Sequence, residues 1–206
     1  MTSILKADNI QDADGNNIIN ESGNTITIGA SGDTISIPSG ATLANSGTVT
    51  GITQGITMAD QWRITANLSS NGTNVVGTNW ERNDTNFDKI GTGMTESSGI
   101  FTFPSTGIYI IIFNGLLYAD NAVAYAGFHL QQTTDNSSYT DAIYGYGGNA
   151  SASGRYSGFY GNGIFDVTNT TTHKIRLRTT SPSTVTFQGS TSIQATGITF
   201  IRIGNT

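Results

Sequence analysis

The β-branched character of the apolar residues constrains the fold of this chain more than any other feature. Isoleucine outnumbers leucine 24 to 7, and lysine and glutamate together supply only six of the 206 residues. Isoleucine fits the pleated surface of a sheet, whereas leucine, lysine and glutamate favour helices. Threonine, serine and asparagine add 71 small polar residues, which suit strand surfaces and turns. The composition therefore predicts an all-β protein.

The aromatic residues divide the chain into two regions. All 19 of them lie from Trp62 onward, and none lies within residues 1–58. Large aromatic side chains contribute most of the buried area of a small core, so only the second region has the means to build one. We therefore predict an N-terminal region over residues 1–58 and a globular head over residues 59–206.

Short apolar repeats follow one another in the N-terminal region. The sequence Asn24–Gly29 (NTITIG) is echoed by Asp33–Pro38 (DTISIP), and more loosely by Ala41–Leu43 and Thr48–Thr50. Each such strand offers one or two apolar side chains, which is too few to offset the entropy of ordering its residues. We expect three copies of the chain to wrap around one axis as a slender shaft, with a flexible Gly/Ser linker as the alternative. The residues expected to pack in the shaft are Ile26, Ile28, Ile35, Ile37 and Leu43.

The head consists of apolar runs separated by Gly, Asn, Ser and Asp. Apolar and polar residues alternate in several runs, which is typical of antiparallel sandwiches. The run Ile108–Phe113 is apolar on both faces, which predicts a central strand covered by the core on one side and by a neighbouring subunit on the other. Asn114-Gly115 is either a hairpin turn or a bulge in one long strand. The predicted strands are 61–68, 79–82, 99–103, 107–118, 123–133, 141–147, 156–167, 172–180, 184–190 and 196–203.

The segment Gly99–Tyr109 resembles the signature of the C1q/TNF-like jelly rolls, G-x-F-x-x-P-x-x-G-x-Y followed by a hydrophobic strand. The segments Asn86–Asp88 and Gly197–Ile201 are also similar to that family, and the resemblance covers about residues 60–204. It implies an all-β, ten-stranded jelly-roll sandwich that assembles as a homotrimer behind an N-terminal stalk. The residues that it implies at the trimer axis or in packing are Phe101, Phe103, Tyr109, Ile111, Phe113, Phe200 and Ile201.

The N-terminal region departs from that family, because it has neither a collagen repeat nor a cysteine. It resembles instead the short-repeat shafts of bacteriophage fibres, notably those of marine phages, and Thr2–Gln11 is similar to their attachment segments. This resemblance implies a non-enzymatic virion structural protein on the exterior of the particle. Its N-terminus would bind other virion proteins, and its head would contact a host-surface glycan or protein. The alternative is a capsid decoration or head-fibre protein that clamps capsomers without binding a receptor.

The titratable residues favour a protein without catalytic chemistry. Both histidines, His129 and His173, lie in predicted strands, and Asp120, Asp135 and Asp141 lie in turn-like sequence. Nucleophile elbows, zinc-protease motifs and phosphate-binding loops do not occur in the sequence. We expect no catalytic residue, no cofactor and no resident metal, with Ca²⁺ as the one ion that such loop carboxylates would suit.

Charge and hydropathy exclude two classes of partner. The net charge of −5 and only nine basic residues leave little to neutralise a phosphate backbone, so we expect no nucleic-acid binding. The longest apolar run, Ile108–Phe113, is far too short to span a membrane. The first 15 residues have no basic segment followed by an apolar one, so we expect a soluble chain without a secretion signal.

Two features of the head are candidates for receptor contact. Lys174, Arg176 and Arg178 share one face of a strand, where they either blunt a sheet edge or meet an acidic partner. Aromatic residues also alternate with small ones over residues 139–160, where they either stack against sugar rings or pack the sheet and the trimer interface. The candidate contact residues are Tyr139, Tyr144, Tyr146, Tyr156, Tyr160, Arg176 and Arg178.

Overall fold

The computed structural model describes residues 9–11, 13–15, 17–22, 25–29, 31–47, 55–150 and 154–206. The chain divides into two compact units, Met1–Ile52 and Thr53–Thr206. Every helix or strand assigned within the described residues is a β-strand, which confirms the all-β prediction. Within those ranges the chain has no helix that is long and apolar enough to cross a membrane.

The strands are short in the first unit and longer in the second. The first unit contains β1 (Asn9–Gln11), β2 (Asn17–Ser22) and β3 (Thr25–Ile28). The second unit contains β4 (Met58–Ile64), β5 (Leu68–Ser70), β6 (Trp80–Arg82), β7 (Lys89–Ile90), β8 (Thr95–Ser97), β9 (Ile100–Thr102), β10 (Gly107–Ala119), β11 (Val123–Thr133), β12 (Thr140–Asn149), β13 (Arg155–Val167), β14 (Lys174–Thr180), β15 (Val185–Phe187) and β16 (Gly197–Gly204). Compared with the ten predicted strands, the second unit has three additional short ones, β5, β7 and β8.

The first unit forms a three-stranded antiparallel sheet in the order β1-β2-β3. The repeat at Asn24–Gly29 forms β3. The segments Asp33–Pro38 and Ala41–Leu43 pair with no strand in the described part of the single chain, so their strands in a threefold shaft remain a prediction. Thr48–Thr50 and most of the attachment segment Thr2–Gln11 lie outside the described residues. Packing in a shaft remains a prediction for five side chains, which are all at least half exposed in the single chain: Ile26, Ile28, Ile35, Ile37 and Leu43.

The second unit is a sandwich of two antiparallel sheets. The eight-stranded sheet has the order β5-β15-β10-β16-β4-β6, with β13 paired to β10 and β7 paired to β4. The five-stranded sheet has the order β12-β11-β14-β9-β8. Buried side chains from both sheets form one hydrophobic cluster between them. This arrangement confirms the predicted jelly-roll sandwich.

Most of the side chains that the sequence suggested for a trimer axis lie in the hydrophobic core between the two sheets. Aromatic rings from both sheets meet there: the ring centroids of Phe101 and Phe200 lie 5.3 Å apart, and those of Phe103 and Tyr109 lie 4.7 Å apart. A side chain that is fully buried in one chain has no surface left for a neighbouring subunit. Ile201 is half-buried. The other six residues are buried in the single chain, so they have the predicted role in packing and not one at a trimer axis: Phe101, Phe103, Tyr109, Ile111, Phe113 and Phe200.

The Gly99–Tyr109 signature has a structural reason at each glycine. Gly99 has φ +80°, and a Cβ added there would collide with the carbonyl oxygen of Val76. Gly107 has φ +143°, in a region that side chains rarely adopt. The Tyr109 hydroxyl donates a 2.8 Å hydrogen bond to the carbonyl oxygen of Ser105. The motif therefore fixes the turn that leads into β10.

Strand β10 is continuous through Asn114-Gly115, because its pairing with β13 runs without a register shift over Gly107–Ala119. The segment is therefore neither a hairpin turn nor a bulge against β13. Gly115 lies opposite Phe159, and a Cβ on Gly115 would collide with the Phe159 ring. The glycine thus makes room for an aromatic ring that fills the core.

One carboxylate is fully buried in the eight-stranded sheet. Asp60 accepts hydrogen bonds from the Trp62 indole nitrogen at 3.0 Å and from the Met94 backbone nitrogen at 2.6 Å. Arg82 forms a salt bridge to Asp60 with a 3.0 Å distance between Nε and Oδ1. A buried charge needs such partners to offset its desolvation, so Asp60 ties β4, β6 and the loop before β8 together.

Candidate binding surfaces

The outward face of the five-stranded sheet carries a cluster of polar and aromatic side chains. Alternation along β11 sends Phe128 and Leu130 into the core, so His129 and Gln131 point to the other face. Strand register then brings His129 between Tyr144 of β12 and Arg178 of β14. We call this cluster the outer patch, and its members are Tyr125, His129, Gln131, Tyr139, Asp141, Tyr144, Tyr146, Lys174, Arg176 and Arg178.

An ion pair lies at the centre of the outer patch. The Arg178 Nε donates a 2.9 Å hydrogen bond to Asp141 Oδ1, and a second guanidinium nitrogen bonds Asp141 Oδ2. Gln131 Nε2 donates a 2.7 Å hydrogen bond to Oδ1, and His129 Nδ1 lies 2.8 Å from Oδ2. These bonds, chiefly those from Arg178, hold the pKa of Asp141 well below its usual range. The same pairing raises the pKa of Arg178.

Tyr146 extends this network through His129, since its hydroxyl oxygen lies 2.6 Å from His129 Nε2. His129 Nδ1 lies 2.8 Å from Asp141 Oδ2 and 2.7 Å from Arg178 Nη2, so the imidazole ring connects Tyr146 to both members of the ion pair. Partial burial raises the pKa of Tyr146, which disfavours the phenolate. The chain of hydrogen bonds therefore orients the tyrosine ring.

Aromatic rings form one side of the outer patch. The rings of Tyr144 and Tyr146 lie 9° from parallel with centroids 5.9 Å apart, and His129 lies 4.3 Å from Tyr144. Tyr125 contacts Tyr146 at 5.6 Å. All three tyrosines are about half exposed. The cluster thus offers apolar ring surface and hydroxyl groups to a partner at the same place.

The other side of the outer patch is positively charged. The Arg176 guanidinium lies 3.8 Å from the Tyr139 ring centroid, and its Nε donates a 2.7 Å hydrogen bond to Gln131 Oε1. Lys174 Nζ donates a 2.8 Å hydrogen bond to the carbonyl oxygen of Thr170. Among the described residues, neither Lys174 nor Arg176 has a carboxylate oxygen within 4.0 Å. Both charges are therefore available to an anion.

The outward face formed by β13, β10 and β16 is largely apolar, with Asn114, Asn162, Asp166 and Thr199 among its apolar side chains. Inward residues of β10 alternate with outward isoleucines, and β13 adds further exposed side chains beside them. We call this surface the apolar face, and its members are Ile108, Ile110, Ile112, Leu116, Tyr118, Tyr156, Tyr160, Ile164, Ile201 and Ile203. Its most exposed isoleucine is Ile164, at 68%.

The two surfaces divide the predicted receptor contacts. The outer patch brings together Tyr139, Tyr144, Tyr146, Arg176 and Arg178. Tyr156 and Tyr160 lie instead on β13, in the apolar face, so they are not part of the outer patch, and receptor contact by them remains a prediction. Strands β12 and β13 follow one another in the chain but belong to different sheets, so their tyrosines lie on different faces of the sandwich.

Other sequence-based expectations are corrected in the same region. Strand β14 lies between β11 and β9, so its three basic residues do not blunt a sheet edge. Asp141 lies within β12 and pairs with Arg178, whereas the sequence suggested a turn. Asp135 does cap a turn, because it accepts 2.8 Å hydrogen bonds from the backbone of Ser137 and Ser138. The sequence analysis did not identify His129 and Gln131 as part of this hydrogen-bond network, although their alternation with Phe128 and Leu130 indicates that they point away from the core.

Within the part of the chain that the structure describes, no three His, Asp or Glu side chains are grouped closely enough to hold a metal ion. Expectations about Ca²⁺ and other cofactors therefore remain predictions. Asp120, one of the loop acids, accepts a 2.6 Å hydrogen bond from the Tyr118 hydroxyl. This bond raises the pKa of Tyr118.

The sandwich, its two sheets and its strand order define a jelly roll. No protein-family model and no curated protein sequence matches the chain. A crystal structure of murine APRIL at pH 5.0 matches 71% of this chain and 98% of its own, with a TM-score of 0.53 and 15% identity. The structure of the Eiger TNF from S. frugiperda matches 72% of this chain and 93% of its own, with a TM-score of 0.57 and 9% identity. The second unit therefore has a TNF-like jelly-roll fold.

Proposed function

We propose that the protein is a non-enzymatic structural protein on the exterior of a bacteriophage particle. In this proposal it is a homotrimeric fibre whose N-terminal unit anchors it to the particle and whose head contacts the host surface. The observation that carries the proposal is the apolar face, which a single chain leaves uncovered.

The apolar face needs a partner of its own kind. Soluble monomers rarely expose contiguous apolar patches of more than a few hundred Å², and larger ones mark interaction surfaces. Here isoleucines and tyrosines from three neighbouring strands, β13, β10 and β16, lie side by side. A second copy of the chain is the partner that such a surface fits, because symmetric self-association covers the same patch on every subunit.

The N-terminal unit supports the same conclusion independently. Its isoleucines Ile26, Ile28, Ile35 and Ile37 are at least half exposed in one chain. A threefold arrangement would cover them together with the apolar faces of the heads, and the C1q/TNF resemblance implies that number of subunits. The short repeats resemble phage fibre shafts, which is the basis for placing the trimer on a virion.

The first test is the native mass of the full chain, measured by light scattering. We expect three times the 21.6 kDa chain mass, and we expect it to persist in mild denaturant. A stable monomer would overturn the trimer, and the fibre with it.

The second test is the location and copy number of the protein in purified phage particles, measured by immunogold labelling and quantitative mass spectrometry. A fibre predicts a few trimers at the tail, whereas the alternative, a capsid decoration protein, predicts many trimers in register with the capsid symmetry. A chain without residues 1–55 should fold and trimerise through its head but fail to join particles. Absence of the full-length protein from particles would refute the virion role.

A further inference from the structure

The outer patch concentrates positive charge on an acidic protein. Three of the nine basic residues of the chain, whose net charge is −5, lie on one face of β14. Asp141 neutralises Arg178, but Lys174 and Arg176 have no carboxylate partner among the described residues. Alternate residues of a strand are about 7 Å apart, so two unneutralised cations stand side by side.

The outer patch is also built before any ligand arrives. His129 and Gln131 are only 8% and 7% exposed, because longer side chains from both neighbouring strands cover them. Gln131 donates a hydrogen bond to Asp141 and accepts one from Arg176, so it holds both the carboxylate of the ion pair and the Arg176 guanidinium in place. Side chains that are already ordered lose little entropy on binding.

The chemistry of the outer patch favours a sugar over a protein partner. Its three strands, β11, β12 and β14, present mainly hydroxyl, amide, guanidinium and aromatic groups. Protein interfaces add a packed apolar centre, whereas a saccharide needs hydrogen-bonding groups together with ring surface for its apolar C–H faces. Tyr144 and Tyr146 supply that ring surface next to the charged side chains.

We infer that the outer patch binds an acidic polysaccharide, with its carboxylate or sulfate groups on Lys174 and Arg176 and a sugar ring against Tyr144 and Tyr146. This inference rests on the proposed function, because it names the class of ligand that the head would contact on a host. Three heads on one shaft would present three such patches, so a weak single contact would gain avidity.

The test is binding of the full-length protein to immobilised polysaccharides that differ in charge. Heparin is the sulfated probe, polygalacturonate is the carboxylated probe, and dextran is the neutral one. We expect binding to at least one acidic probe that weakens with salt, and none to dextran. Equal binding to dextran, or no binding to either acidic probe, would overturn the inference.

Matched variants locate the site. Lys174→Gln should weaken binding roughly tenfold, as expected for loss of one charge-assisted hydrogen bond per head. Lys89→Gln removes the same charge outside the outer patch, since Lys89 lies on β7 of the other sheet. Equal losses in the two variants would mean attraction by charge alone and would refute the site. Tyr144→Ser provides a second variant. Unchanged polysaccharide binding by this variant would show that the tyrosine rings are not part of the binding site.

Two controls complete the test. The first distinguishes a sugar ligand from an acidic protein, and the second distinguishes failure of the ligand site from failure of the proposed trimer. Binding to poly-L-glutamate as tight as binding to the acidic sugars would assign the outer patch to an acidic protein and overturn the inference. Light scattering on the same samples gives the subunit number. A trimer that binds no acidic polysaccharide would overturn the inference alone, whereas a monomer that binds one would overturn the fibre and leave the inference standing.

Discussion

Replacing Ile164 by aspartate should dissociate the trimer without unfolding the head. Ile164 is 68% exposed in the single chain, on β13 of the apolar face. Full burial of an isoleucine side chain stabilises by about 2 kcal/mol, so covering the exposed part contributes about 1.5 kcal/mol per subunit. Over three subunits this is about 4.5 kcal/mol, or roughly 10³ in the assembly constant. Burying an unpaired carboxylate at the same place would add a further penalty.

The assay is native mass by light scattering over a range of protein concentrations, with far-ultraviolet circular dichroism as the check on folding. The matched control is Val75→Asp, which introduces the same charge at a residue that is 44% exposed and bridged to Arg178 of the five-stranded sheet. We expect a folded monomer for Ile164→Asp and an unchanged trimer for Val75→Asp.

Two results would refute the reasoning. A trimer of Ile164→Asp with wild-type stability would show that the apolar face is not the subunit interface. Dissociation of both variants to the same extent would show that added negative charge disrupts assembly from any position. The first result would leave the shaft as the remaining source of assembly, which the chain without residues 1–55 then tests.

Three further predictions concern the head itself, each measured as the free energy of unfolding in denaturant. Asp60→Ala should cost about 3 kcal/mol, because it leaves the arginine of a buried ion pair without its partner; a cost below about 1 kcal/mol would contradict that role. Gly99→Ala should cost about 1–3 kcal/mol, because the backbone there is left-handed and has no room for a Cβ. Gly204→Ala, where the Cβ would meet open space, should change little, and equal effects would rule out the steric argument. Asp141→Asn should lower the free energy of unfolding near neutral pH, because the ionised carboxylate, whose pKa is lowered in the folded protein, stabilises the fold. Below about pH 4 the wild type should progressively lose this stabilisation, whereas the variant has none to lose, so the two should become more alike. If the free energies of the two proteins instead ran parallel with pH, the ion pair with Arg178 would be contradicted.

The long strands of the head could be predicted from the sequence because alternation and turn residues mark their ends. The predicted strand 123–133 coincides with β11, and 156–167 differs from β13 by one residue. The short strands β7 and β8 could not be predicted, since two or three residues carry no periodicity. Asp33–Pro38 alternates as a strand does, but the single chain offers it no partner, so its strand depends on the predicted trimer.

The sites were harder to predict than the strands because a one-residue shift reverses which face a side chain occupies. The run Ile108–Phe113 is apolar on both faces, but the family resemblance implies only its buried set, such as Tyr109 and Ile111, at the interface. The exposed set, such as Ile110 and Ile112, instead defines the apolar face. Pairing between distant strands, such as Arg178 with His129, is likewise not encoded in local spacing.

The arrangement of the two surfaces links assembly to recognition. Each sheet of a sandwich has one face in the core, so the two outward faces lie on opposite sides of it. Here one outward face is largely apolar over β13, β10 and β16, and the other carries an ion pair, two unneutralised cations and exposed tyrosines. If the apolar faces join three chains, the outer patches are left on the outside of the trimer, where three copies of the ligand site are accessible at once. Variants of Ile164 should therefore abolish avidity while leaving the affinity of a single head unchanged, whereas variants of Lys174 should weaken each head's affinity and leave the number of subunits unchanged.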